Sequence, residues 1–428
     1  MRKELIFMAS FLTAGLTAAF QLTSEAPGDA VTIIAPTGRA KAFWAQWRGP
    51  SGQGLVEGTG YRDSWSDPEG ILWRVPVPGS GNSSPIVWED HIFLTTSYDG
   101  GARLSLLCFS TEGRKLWETF VPQEGVEHAH AKNGHASATP VTDGQTVYAS
   151  FGTHGLVAFD FDGKILWQRK LGALDNYHGS AGSPVLYRDS VILYQDHRGT
   201  AETRSFVAAL DKQTGKTLWS TERAATTGWG TPIVIRAGAR DELVVSSQHR
   251  VNAYDPATGR ELWTVSGNLF EVIPTPVVAH GLVFCASGRA GPTLAIRPGG
   301  TGDVTETHVV WKNPKGSPFV PSPVVYGDHL YMVNDMQSVA TCFEAKTGKL
   351  MWQGRLGDAP REGFSSSPIA MNGKVFITND LGETFVVEAG AEFKILRVNR
   401  LNGRTLATPA LVGGRWYFRT DKELLSIG

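Results

Sequence analysis

Eight times between residues 84 and 409 a serine or threonine is followed by proline and an apolar run: Ser84-Pro85, Thr139-Pro140, Ser183-Pro184, Thr231-Pro232, Thr275-Pro276, Ser322-Pro323, Ser367-Pro368 and Thr408-Pro409. The prolines lie 55, 44, 48, 44, 47, 45 and 41 residues apart. That spacing matches the ~40 to 50 residue period of a four-stranded propeller blade and exceeds that of ankyrin or tetratricopeptide arrays. Helical repeats also fail on pattern. Within a unit, β-branched, aromatic and polar residues alternate as in Pro323-Val324-Val325-Tyr326 followed by His329-Leu330-Tyr331-Met332-Val333, the signature of strands. The chain's 428 residues, with 49 Gly, 23 Pro and 13 Trp, exceed one ordinary core and suit many short strands joined by tight turns.

Each unit carries its signals in one order. The Pro-led strand is followed by a turn such as Asp143-Gly144, Gly327-Asp328 or Asn372-Gly373, then by a second strand such as Thr146 to Ser150. A third strand ends in a motif seen most fully in Ala253-Tyr254-Asp255-Pro256-Ala257-Thr258-Gly259-Arg260-Glu261-Leu262-Trp263. Asp caps the turn, Gly takes its left-handed position, and Trp stands on the fourth strand with a ring suited to the wedge between blades. Trp117, Trp167, Trp219, Trp263, Trp311 and Trp352 occupy this place, whereas the seventh unit reads Gly390-Ala391-Glu392-Phe393-Lys394-Ile395-Leu396 without a tryptophan. The eighth unit stops at Gly428 after three strands, and Ile71-Leu72-Trp73-Arg74-Val75-Pro76-Val77 reads as a fourth strand with no blade before it. Pairing the two removes the open edges of the array. The expectation is an all-β, eight-bladed β-propeller of four-stranded antiparallel blades over 71–428, closed by an N-terminal strand that completes the last blade. Residues 31–70 are expected as an extension packed on it.

The repeated Ala-x-Asp-x-x-Thr-Gly-x-x-x-Trp ending resembles the tryptophan-docking repeat of quinoprotein (PQQ) alcohol dehydrogenases and of BamB-like outer-membrane assembly propellers. Trp47-Arg48-Gly49-Pro50 ahead of the array is similar to exported PQQ-repeat propellers of planctomycete-type bacteria, and the likeness covers roughly residues 44 to 428. It implies a fold more than a chemistry, because the docking motif is a packing device even in the enzymes. Quinoprotein dehydrogenases typically hold PQQ between a tryptophan and a disulfide of adjacent cysteines, beside a calcium. Here Cys108, Cys285 and Cys342 are far apart, and no Cys-x-x-Cys-His supplies a covalent haem. No cofactor is therefore expected from the resemblance, with PQQ or a divalent metal kept as the alternatives.

Lys and Arg number 40 against 41 Asp and Glu, a net charge of −1, which gives no electrostatic case for nucleic acid. Arg2 and Lys3 precede a mostly apolar run from Leu5 to Phe20, so residues 1–30 read as an export signal peptide or N-terminal anchor. Membrane contact is expected only through that segment if it stays uncleaved. The chain is expected in the periplasm or cell envelope, as a monomer whose fold uses no disulfide framework.

Chemistry-bearing residues concentrate in Glu127-His128-Ala129-His130-Ala131-Lys132-Asn133-Gly134-His135. His-x-His on an extended segment puts two imidazoles on one side, making His128, His130 and His135 metal-ligand candidates, with Glu127 as a further donor. His178 and Trp229 precede the next two Ser/Thr-Pro strands. With the histidines they form a candidate contact site for a ligand or partner at one sector of the channel mouth, while Val272-Ile273 and Phe319-Val320 read as its apolar counterpart. Gly215-Lys216-Thr217 lacks the upstream glycine of a phosphate loop, and no Gly-x-Ser-x-Gly elbow occurs. The functional expectation is a non-catalytic, exported scaffold that binds an envelope protein or peptide. A quinoprotein-like oxidoreductase or metal-dependent enzyme at the channel mouth is the alternative.

Overall fold

The computed structural model describes residues 31–428 apart from 36, 199–203, 225–226 and 362; the expected leader, residues 1–30, lies outside the described residues. Eight antiparallel sheets follow one another along the chain. The first holds Ile86–Trp88, His91–Tyr98, Arg103–Ser110 and Lys115–Phe120 in that order. The short Pro-led strands are innermost, since those of neighbouring blades touch one another. In the eighth blade Ile71–Pro76 pairs antiparallel with Glu423–Ile427, outside Arg415–Arg419 and Ala410–Val412. The displaced strand thus completes the last blade.

The Ser/Thr-Pro repeat has a direct physical reading. The backbone N–H of each Ser or Thr donates to the hydroxyl of its counterpart in the next blade. The series runs from Ser84 to Thr139 (2.9 Å) through all eight blades and returns from Thr408 N to Ser84 Oγ (3.0 Å). Eight buried or nearly buried hydroxyls form a closed girdle around the channel, satisfying N–H groups that no strand partner reaches.

At the outer edge every blade has a register shift between its third and fourth strands, so that one residue of the fourth strand is left out of the pairing. In seven blades the extra residue immediately precedes the tryptophan, as Leu116 precedes Trp117 and Leu218 precedes Trp219. A bulge re-aims the following side chain, here toward the next blade. Trp73, Trp117, Trp167, Trp219, Trp311 and Trp352 each donate from Nε1 to a carbonyl in that blade's turn, at 2.8 to 3.2 Å. The turn glycine must lack a side chain: a Cβ on Gly163 would lie 2.8 Å from the Trp117 ring. The hydrophobic clusters accordingly span blade boundaries, Phe93 and Cys108 of the first blade packing with Val147 and Phe159 of the second.

Two junctions differ. Trp263, fully buried, donates instead to Glu242 Oε2 of its own sheet at 2.7 Å. The fifth blade places an insertion, with Gly302–Asp303 and the short helix Thr305–His308, where its third-to-fourth turn would be, so Trp263 has no turn of the regular kind to meet. Gly302–Asp303 adds in parallel to the fourth blade's outer strand and Val31–Ile33 adds at its inner one, making this sheet six-stranded rather than four-stranded. The seventh blade lacks a tryptophan because the eighth has no such turn: Gly428 and Gly70 meet there as separate ends of the ring-closing pair. Trp65 fills the gap against Trp416 and Phe418, while Asp63 binds Lys374 and Arg397 of the seventh blade.

Residues 44–56 cross one end of the channel. Trp44 pairs with Val87, Ala45 O accepts from Thr142 N, Arg48 Nη2 donates to Pro323 O at 2.6 Å, and Gln53 Oε1 accepts from Val278 N at 2.7 Å. Gly54 and Val56 bind Ala370. One segment thereby ties the first, second, fifth, sixth and seventh blades together. Arg48 is fully buried, and burial lowers its pKa to about 9.

Candidate functional site

The plug makes the channel a blind cavity. About 320 Å³ runs from the opposite mouth past the girdle residues Ser84, Thr139, Ser183, Thr231, Thr275 and Thr408 to Trp47 of the plug. Of the five residues singled out in the sequence, His130, His178 and Trp229 line it. The other two turn elsewhere: His128 Nε2 lies 3.1 Å from Tyr177 O, and the His135 ring covers Gly101, where a Cβ would approach it to 2.6 Å.

Cross-bracing fixes the mouth loops. Asn82 Nδ2 donates to Lys132 O (2.8 Å) and Asn133 O (2.7 Å), and Asn133 Nδ2 donates to His178 O (2.8 Å) and Ser180 O (2.9 Å). Trp229 Nε1 continues the series to Gly179 O at 2.9 Å. Glu127 belongs to this bracing, accepting from Thr153 N at 2.5 Å and Ser180 N at 3.1 Å, and burial raises its pKa. Its carboxylate is therefore committed to backbone donors. Among the described residues no group of three or more His, Cys, Asp or Glu is set to hold a metal ion, so the His128, His130 and His135 arrangement expected from the spacing does not gather, because each ring follows a different loop contact.

On these braces stands a crescent of rings and charges. His130 meets His178 edge-on at 5.2 Å between centroids, and His178 lies 5.2 Å from Trp229. His178 Nε2 is 3.4 Å from Glu271 Oε1, Glu271 pairs with Arg289, and the Arg289 guanidinium sits 4.5 Å from the Phe319 ring centre. Glu271 and Arg289 both adopt positive φ, 59° and 43°, a conformation that costs energy for non-glycine residues and concentrates at functional sites. The sector read as apolar from Val272-Ile273 and Phe319-Val320 thus contains an ion pair. Glu271 stands four residues before Thr275, as His135 does before Thr139, and aligning the units on their Ser/Thr-Pro pairs exposes it. Arg289 carries no such signal, since it lies in a turn between the fifth blade's second and third strands.

The sequence profile described as outer membrane protein assembly factor BamB matches residues 65–202, 203–305 and 290–407, nearly the whole ring. The chain belongs to this PQQ-repeat propeller family. Its distant relatives carry different names. It is 21% identical over 374 residues to the tetrathionate hydrolase of Acidithiobacillus ferrooxidans, covering 81% of this chain but only 64% of the length of that one. It is 25% identical over 301 residues to the BamB of Bordetella pertussis, covering 66% of this chain and 67% of that one. Among solved structures, a europium-containing methanol dehydrogenase superposes with a TM-score of 0.66 at 10% identity, over 88% of this chain and 89% of that one, which speaks to fold alone.

The quinone cofactor of the dehydrogenases does not fit the residues of this mouth. Cys108, Cys285 and Cys342 are buried, free and outside the cavity, so no disulfide face opposes Trp229. The indole of Trp229 is itself only 5% exposed, covered by Tyr177 and His178.

Proposed function

We propose that this chain is an exported binding propeller of the BamB type, which captures an envelope protein segment or peptide in the mouth cavity by non-covalent contact. The observation that carries the reading is the blind cavity with its braced crescent. A pocket closed by Trp47 and walled by Trp229, His178, His130 and Phe319 suits insertion of an anchoring side chain or chain end, and rings held by backbone braces lose little freedom on binding. Export rests on the Arg2-Lys3 leader and on the printed name of the Bordetella relative.

The test is recovery of a defined partner from envelope extract by the full chain and by a His130→Ala, His178→Ala double variant. The variant should melt close to the parent and lose the partner at least ~10-fold. A variant that folds and retains every partner overturns the reading. A second reading, chemistry at the same mouth, draws on the His178–Glu271 pair and on the tetrathionate hydrolase likeness. A quinone absorption band or one metal ion per chain in the purified protein would favour it over the scaffold.

A further inference from the structure

Arg419 ends the second strand of the eighth blade and is 2% exposed. Its Nη1 donates to Ser83 O (3.1 Å), Ser83 Oγ (2.7 Å) and Thr95 O (2.9 Å) of the first blade. These contacts fasten the ring shut but bring no negative charge, and Nε has no hydrogen-bond partner. Burial lowers the pKa of the group to about 9, and no carboxylate raises it again. Of the other two buried arginines, Arg48 is likewise bonded to carbonyls, whereas Arg223, between the third and fourth blades, meets Asp196 at 3.0 Å.

In front of Arg419 lies a second cavity of about 80 Å³ beside the mouth, lined by Ser80, Gly81, Asn82, Lys132 and Arg404 among others. Gly81 keeps it open, because a Cβ there would come within 2.8 Å of Arg419 Nη2. Two carboxylates lie nearby. Exposed Asp421 lines the cavity and accepts from Arg404 N at 3.2 Å, and Asp380 lies 3.6 Å from Lys132 Nζ. Among the described residues Arg419, the most deeply buried of these cations, has no carboxylate partner. A buried guanidinium is costly unless paired, and its planar fork favours oxoanions.

We propose that this cavity binds a small oxoanion, a carboxylate, sulfate or phosphate group, with Arg419 at its base and Arg404 and Lys132 at its rim. The cavity shares Asn82, Lys132 and Leu406 with the mouth. The group is either a free anion or the charged end of a larger molecule seated there.

The full chain is titrated with sodium acetate, sulfate and phosphate at ionic strength held constant with chloride, following Tm. Binding to the folded state raises Tm with the logarithm of anion concentration above the dissociation constant. At least one anion should do so beyond chloride, and Arg404→Gln, which removes an exposed side chain, should weaken that anion's apparent affinity about 10-fold, the equivalent of one charge-assisted contact. Arg419→Met should abolish the rise beyond chloride; should that variant fail to fold, Arg404→Gln carries the test alone. A response to acetate alone points to a carboxylate and one to sulfate or phosphate to an inorganic anion. The site is overturned if all three anions act as chloride does, or if Arg404→Gln responds like the parent.

Discussion

The girdle of the channel wall and the crescent of its mouth are built from the same eight loops, yet they use side chains in opposite ways. At the girdle, a Ser or Thr recurs in every blade and each hydroxyl accepts from the preceding blade's N–H. A few residues upstream, the same loops carry His178, Trp229 and Glu271, none repeated at the equivalent position of its neighbours. A residue that packs the ring must recur with the ring, whereas one that recognises something asymmetric need not. Differences between equivalent positions thus mark the mouth as the place to look for recognition.

The comparison can be broken first at closure, where the largest effect is expected. Removing residues up to Val77 deletes the plug, Trp65, Trp73 and the strand paired with Glu423–Ile427, so cooperative unfolding should be lost. Removing only residues 1–30 should leave it unchanged. Equal melting of both truncations would show that the ring does not need its closing strand.

A smaller effect is expected at the irregular junction. Trp263→Ala should cost ~3 to 5 kcal/mol in urea unfolding, since it empties a fully buried site and takes the indole from Glu242. Trp117→Ala, at a half-buried regular junction, should cost less. If Trp263→Ala costs under ~1 kcal/mol, the packing described for the fourth blade is wrong.

The smallest effect sharpens the reading of the girdle. Thr139→Val keeps the shape but removes the oxygen that accepts from Ser84 N, and a buried N–H left without a partner costs ~1 to 3 kcal/mol. No measurable change in urea unfolding would mean that the repeated hydroxyls mark the strand starts without holding them.

The sequence by itself determined the ring: the Ser/Thr-Pro spacing gives the blade count, the glycine and tryptophan endings give the register, and the strand Ile71–Pro76, which has no blade before it, gives closure by pairing with Glu423–Ile427. These were legible because each is a local signal repeated at a fixed period. Which histidines share a cavity was decided only by tertiary structure. His128, His130 and His135 are close in the chain, yet loop contacts separate them, and His130 joins His178, Glu271 and Arg289 from other blades. The plug at Trp47 and the uncompensated charge of Arg419 are likewise tertiary. Contacts across a ring depend on how far each loop reaches and what braces it, and no period in the sequence records that.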